Sequence, residues 1–301
     1  MDECMLWRDL IFHTEFNRTF NRTNPYRIFV VDASLYRLSP EEFAFFSNQT
    51  GITDEEELKN HIIAVATQAF DMTRYPCIGR FLFLSMSGLP TYPHLLDIGR
   101  ELKNPIFLDI GCCFGVDVRK AIVDGFPAQN IIASDLCPEF WEFGHALFQS
   151  TPSSFPVAFV PGDIFDDSFI DLNGPTCTGD SPLNTVKSLH ELTGRINAIH
   201  VSRLFHLFTE RQQLELAHRL AKLLSPSPGS MIFGQHRGSD VPGVIANALG
   251  ETSFDHSPDS WKTLWNGVVF PEGTVEVNCV LRPATASSIR GTTLDWSVIR
   301  T

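Results

Sequence analysis

An apolar run, Ile106-Phe107-Leu108-Asp109-Ile110, passes directly into Gly111-Cys112-Cys113-Phe114-Gly115 and then into a segment with helical spacing. A strand that ends in a glycine-bearing turn and feeds a helix is the opening unit of a doubly wound α/β sheet. Glycine supplies positive φ there and lets a backbone or ligand come close. The same rhythm continues downstream. Residues 131–135 form a second apolar strand, Pro138 opens a helix reaching about Gln149, and 157–160 form a third strand. Residues 170–190 are rich in Gly, Pro, Ser and Thr and read as an inserted loop. Residues 196–201 and 231–233 are the fourth and fifth strands, separated by a helix that starts at the capping box Thr209-Glu210-Arg211-Gln212. Residues 274–281 and 293–299 read as a closing pair of strands. Alternating strands and helices of this kind require a mostly parallel sheet covered on both faces, here with seven strands.

Residues 1–104 lack that alternation and read as mainly helical, a lid on the catalytic domain formed by 105–301. Ser39-Pro40-Glu41-Glu42 carries an N-cap, a proline at the first helical position and an acid at the third. Thr53-Asp54-Glu55-Glu56 reads as a second capping box, followed by Leu58, Ile62, Val65 and Ala69 on one helical face. The chain carries a formal net charge of −12, and no run of Lys and Arg offsets it. Nucleic acid and anionic membrane are therefore unfavourable partners. No apolar run approaches the roughly 18–20 residues of a membrane helix. The acidic start, Met1-Asp2-Glu3, does not read as a secretory signal, so a cytoplasmic location is expected. Seven scattered cysteines without a C-x-x-C pair give no zinc pattern, and no metal is expected.

The spacing in the first turn discriminates between cofactors. A dinucleotide fingerprint would need glycine at Cys113 and Val116, and side chains there obstruct a pyrophosphate, which counts against a nicotinamide-dependent oxidoreductase. Asp109, Gly111, Cys112, Cys113, Phe114 and Gly115 form D-x-G-x-x-x-G, which suits S-adenosylmethionine, a cofactor with no phosphates to cradle. Asp135, at the end of the second strand, is placed to accept from both ribose hydroxyls, with Leu136 beside it. Asp163 is a candidate acceptor for the adenine amino group, with Ile164 and Phe165 walling the ring. His200 falls within the fourth strand, against cofactor or core. His206, beyond it, is the catalytic candidate, either orienting the acceptor or acting as its base. Tyr75, Ser202, His236, Arg237, His256, Trp261 and Trp265 are candidates for the acceptor wall.

These residues resemble fungal secondary-metabolite methyltransferases, in particular those of meroterpenoid pathways of the austinol and terretonin type. The resemblance covers about residues 60–270 and runs through Tyr75-Pro76-Cys77-Ile78 and Phe81-Leu82-Phe83-Leu84. It continues through 108–120, with the paired cysteines followed by Asp117 and Arg119-Lys120, then Asp124-Gly125-Phe126-Pro127, Ser134-Asp135-Leu136 and Phe205-His206-Leu207-Phe208. Val116 stands where glutamine is expected. The resemblance implies a class I, Rossmann-like methyltransferase fold. It also implies S-adenosylmethionine held by residues matching Asp109, Asp135-Leu136 and Asp163-Ile164, and methylation of a carboxyl or hydroxyl oxygen of a natural product. The expected activity is O-methylation of a small apolar acceptor, carboxyl oxygen favoured, with a homodimer as a compatible assembly.

Overall fold

The computed structural model describes residues 31–73, 78, 84–175, 182–246, 252–283 and 292–301. Contacts divide the chain into two units. One comprises 1–83 with 146–149 and 246–251, and the other 84–145, 150–245 and 252–301.

In the first unit, α1 (Pro40–Thr50) starts at Ser39 with a reciprocal capping box to Glu42 and ends at Gly51 in the left-handed conformation. Helix α2 (Glu55–Thr73) is capped by Asp54, whose carboxylate accepts from the Glu57 N–H at 2.9 Å. The cap is therefore one residue beyond the expected Thr53, because the helix begins at Glu55 and aspartate caps at least as well as threonine. Leu58, Ile62, Val65 and Ala69 are all buried, as their spacing requires. Phe46 stacks on Phe148 with ring centroids 5.7 Å apart.

The second unit is built on a seven-stranded sheet of order β3-β2-β1-β4-β5-β9-β8. Its strands are β1 (Phe107–Ile110), β2 (Ile131–Ser134), β3 (Ala158–Phe159), β4 (Ala198–Val201), β5 (Met231–Gly238), β8 (Val275–Arg282) and β9 (Thr292–Arg300). The first five run parallel, and β9 is antiparallel to both β5 and β8. The doubly wound, mostly parallel sheet expected from the strand–helix rhythm is present. A two-stranded sheet, β6 (Gly243–Ala246) with β7 (Thr252–Asp255), has no counterpart in the sequence reading.

Side chains alternate between the faces of the sheet. Phe107, Ile131, Ala133, Ala198, Met231 and Phe233 pack on one face with α3 (Tyr92–Glu101) and α4 (Val116–Val123). Leu108, Ile110, Ile132, Ile199, Val201 and Ile232 pack on the other with α6 (Glu210–Leu223) and α7 (Pro258–Trp265). Between β2 and β3, α5 (Pro138–Leu147) completes the crossover. Asp109 and His200 have the parity of the first face, and the β1–β4 register sets them directly beside one another. Among the described residues no helix is long and apolar enough to cross a membrane.

Candidate active site

The turn after β1 holds its shape through backbone conformations that only small or well-supported residues tolerate. Gly111 and Gly115 have φ of 70° and 65°, and Cys113 reaches φ 48° without being glycine. A Cβ on Gly115 would lie 2.6 Å from the Trp141 ring, so both backbone and space demand glycine there. Gly111 differs. A Cβ there meets nothing nearer than Leu204 Cδ1 at 4.0 Å, so the space above the turn is open. The Gly111 and Cys112 amides donate to the Ser134 carbonyl at 2.9 and 3.1 Å, tying the turn to the end of β2.

Asp135 anchors the same loop. Its Oδ2 accepts from the Cys113 N–H and its Oδ1 from the Cys137 N–H, both at 2.9 Å. Burial pushes this carboxyl up to about 6, against the lowering effect of those amides. The Leu136 amide acts on it in the same direction, more weakly. A carboxylate has about four acceptor positions, so capacity remains open after these backbone contacts. Beside it Leu136 is 49% exposed, an apolar side chain without a protein cover. At the end of β3, Gly162 N–H donates to the Asp135 carbonyl at 3.1 Å. Asp163 accepts from the Phe165 N–H at 2.9 Å, and the Phe165 ring meets Phe208 edge-on at 4.9 Å. The loop, Asp135-Leu136 and the segment 163–165 thus gather at the carboxyl ends of neighbouring strands, where open α/β sheets bind ligands. Cys112 and Phe114 are buried and support the turn from below.

His200 is bonded at both nitrogens. Its Nδ1 lies 2.7 Å from Asp109 Oδ1 and its Nε2 lies 2.6 Å from Ser202 Oγ. Ser202 Oγ also accepts from the Gln235 N–H at 3.2 Å. Asp109 and His200 are almost fully buried, and Ser202 is partly exposed. Burial disfavours the charged ring, but the adjacent Asp109 carboxylate and its hydrogen bond, with help from Asp117, outweigh it and hold the His200 imidazole above the usual histidine range. Asp117, which the sequence reading used only as a motif residue, accepts from Ser85 N–H at 3.0 Å, Ser85 Oγ at 2.7 Å and Met86 N–H at 2.9 Å. Gln235 Nε2 reaches the Ser85 carbonyl at 3.3 Å. These contacts tie the chain entering the second unit to α4 and β5. Their only sequence signal was an acid in a helix first turn.

The other candidates fall elsewhere. Trp261 and Trp265 are fully buried among Phe205, Phe270 and Trp296 and present no surface to a ligand. Arg237 is committed to Asp255, with its Nε 2.8 Å from both carboxylate oxygens, and to Ser253 Oγ at 2.9 Å. His236 accepts from Trp296 Nε1 at 2.8 Å inside the same aromatic cluster, and His256 is bonded to Ser260 Oγ at 2.9 Å. Tyr75 lies outside the described residues. Among the described residues no group of three His, Cys, Asp or Glu is arranged to hold a metal ion.

His206 is buried, and its Nδ1 has no partner among the described residues. Burial, with Arg237 and Arg203 near by, lowers its pKa to about 3. It is therefore neutral at pH 7 and too weak a base to remove a phenolic proton. A depressed histidine makes the folded state bind fewer protons than the unfolded one, so its contribution weakens as pH falls below the unfolded value near 6.5. Between pH 7 and pH 5 this costs about 2 kcal/mol, at 1.36 kcal/mol per unit. His206→Phe should leave stability at pH 7 unchanged or higher and lose about 2 kcal/mol less than wild type on acidification to pH 5. Urea unfolding at both pH values measures this, and equal losses would place the acid sensitivity elsewhere.

Residues 31–84 match the meroterpenoid methyltransferase N-terminal domain family, ending where the first unit passes into the second. The chain is 34% identical to the asnovolin E/chermesin D methyltransferase nvfJ of Aspergillus novofumigatus over 221 residues, 72% of each chain. It is 32% identical to the O-methyltransferase atr3 of Stereocaulon alpinum over 223 residues, 73% of this chain and 59% of that protein's length. Among solved structures, it is similar to 1,6-didemethyltoxoflavin-N1-methyltransferase of Burkholderia thailandensis with bound 1,6-didemethyltoxoflavin and S-adenosylhomocysteine. That likeness has 13% identity, coverage of 88% and 92%, and a TM-score of 0.47.

Proposed function

Since the chain belongs to the family of fungal meroterpenoid methyltransferases, we propose that it transfers a methyl group from S-adenosylmethionine to an oxygen of a small, largely apolar natural product. The observation that carries the cofactor reading is the open turn at Gly111 beside Asp135, whose carboxylate keeps acceptor capacity and adjoins the uncovered Leu136. These residues fit an adenosyl group. Asp135 would take the ribose hydroxyls, and Asp163 with Ile164 and Phe165 would take the adenine. The backbone of 111–115 would take the amino-acid portion.

Bound there, the cofactor supplies an electrophilic methyl on a sulfonium centre. The protein's own task is to orient the acceptor oxygen and exclude water. The expected location is the cytoplasm and the partner a small molecule. A carboxylic acid acceptor has a pKa near 4, is already an anion at pH 7 and needs no base. A hydroxyl acceptor needs one, and His206 does not meet that demand.

The wild-type chain should bind S-adenosylhomocysteine with micromolar or tighter affinity by calorimetry, and should form it from S-adenosylmethionine when given an acceptor. A folded protein that binds neither compound, and gives no methylated product with terpenoid acids or phenols by mass spectrometry, would sink the reading.

A further inference from the structure

We infer that Asp109, His200 and Ser202 form a proton relay that serves a hydroxyl acceptor, with Ser202 as the group that touches the substrate. The inference rests on the methyl-transfer reading and names the acceptor class within it.

With His200 neutral, the hydrogen-bond inventory fixes the direction of the chain. Asp109 is a carboxylate and accepts, so His200 Nδ1 carries the proton between them. His200 Nε2 is then a lone pair, and the hydrogen 2.6 Å away belongs to Ser202 Oγ. The Gln235 N–H, 3.2 Å from the same oxygen, occupies one of its two lone pairs. One lone pair remains, on a partly exposed hydroxyl just beyond the carboxyl end of β4. Arg203 follows in the left-handed conformation at φ 56°, with its N–H on the Gln235 carbonyl, so the chain turns away there and leaves Ser202 at the rim. An acid, an imidazole and a hydroxyl in series, with the acid and imidazole buried and the hydroxyl at the surface of the site, is an arrangement that moves a proton inward. A buried pair kept only for stability would not need its outer end presented at the strand terminus.

The step balances. The acceptor's O–H bond breaks as its oxygen bonds to the methyl carbon, and the electron pair of the broken methyl–sulfur bond stays on sulfur. The acceptor's proton passes to Ser202 Oγ while the serine's own proton passes to His200 Nε2. The imidazolium so formed lies against the Asp109 carboxylate. His200 and Asp109 act through Ser202 and are positioning residues. The charged groups facing His200 are Asp109 from β1, Asp117 from α4 and Arg203 beyond β4. Burial and the arginine lower its affinity for a proton, and the two acids raise it by more. The relay works only with neutral His200, so the rate should rise with pH through the titration of that ring.

The test uses the full chain with matched panels of phenols and carboxylic acids. In the apo-enzyme, a low-field Nδ1 proton resonance that disappears in His200→Gln reports the bond to Asp109, and ring chemical shifts give the His200 titration. With a phenol, kcat should rise with pH along that same titration. Ser202→Ala should lower kcat about a hundredfold on the high-pH side of the His200 titration and abolish the pH limb. Its KM, its S-adenosylhomocysteine affinity and its melting temperature should stay close to wild type. Ser202→Thr, which keeps the hydroxyl, should recover most of the rate. Turnover confined to carboxylic acids, a pH-independent rate, or Ser202→Ala within threefold of wild type overturns the relay and leaves methyl transfer standing. A loss in Ser202→Ala that tracks melting temperature or cofactor affinity shows a structural role and overturns it too. Absence of S-adenosylhomocysteine binding in wild type removes the methyl-transfer reading and the relay with it.

Discussion

Asp135→Ala should weaken S-adenosylhomocysteine binding by at least about a hundredfold. Charge-assisted hydrogen bonds to the two ribose hydroxyls contribute about 1.5–3 kcal/mol each, and each 1.4 kcal/mol is a factor of ten. The substitution also frees the Cys113 and Cys137 amides, which hold the turn in a conformation that includes a cysteine at φ 48°. Both effects act in the same direction. Asp135→Asn should be nearly as damaging, because its NH2 faces a backbone N–H in either orientation. Burial raises the Asp135 carboxyl to about 6, so wild-type affinity should fall as pH drops from 7.5 through 6, where the carboxylate takes up a proton. Calorimetry on folded protein at pH 7.5 and 5.5 checks both expectations. Unchanged affinity in Asp135→Ala would rule out the ribose contact.

Gly234→Ala should destabilise the second unit by at least about 3 kcal/mol or prevent its folding. A Cβ there would stand 1.9 Å from the Val201 carbonyl oxygen and 2.6 Å from its carbon. Both are backbone atoms at the end of β4, with no flexible side chain to give way. Overpacking costs about 1–3 kcal/mol where neighbours can relax, and strand backbone relaxes poorly. The close approach of β5 to β4 also carries the Gln235 N–H to Ser202 and the Arg203 N–H to the Gln235 carbonyl. Any Gly234→Ala protein that does fold should therefore show a displaced Ser202 and a disturbed His200 titration. The control is Gly243→Ala, where a Cβ meets nothing within 4 Å; it should change stability little. A Gly234→Ala protein as stable as that control would refute the packing argument. Chemical unfolding curves provide the comparison.

Much of this molecule can be read from local chemistry. The turn at 109–115, the capping box at Ser39, the buried stripe of α2 and the antiparallel closing strands follow from turn residues, caps and periodicity. These signals act within a few residues of chain. The acids at three strand ends, Asp109, Asp135 and Asp163, were visible for the same reason. Whether each faces a ligand or a neighbouring strand was not. Asp109 faces His200 because β1 and β4 are neighbours in that register, and the sequence does not state the register. His206 looked catalytic from its place after β4, yet burial leaves it a neutral ring. Trp261 and Trp265 lie on one helical stripe as expected, and tertiary packing turns that stripe to the core.

The sequence by itself determined the order of elements, the turn that opens the sheet and the residue types at the strand ends, because backbone sterics and capping are settled by near neighbours. Only the tertiary structure decided which polar groups meet. A buried carboxylate or imidazole takes whatever partner the packed sheet brings within 3 Å, and Asp109, His200 and Ser202, up to 93 residues apart in the chain, become one hydrogen-bonded series only when β1, β4 and β5 lie side by side.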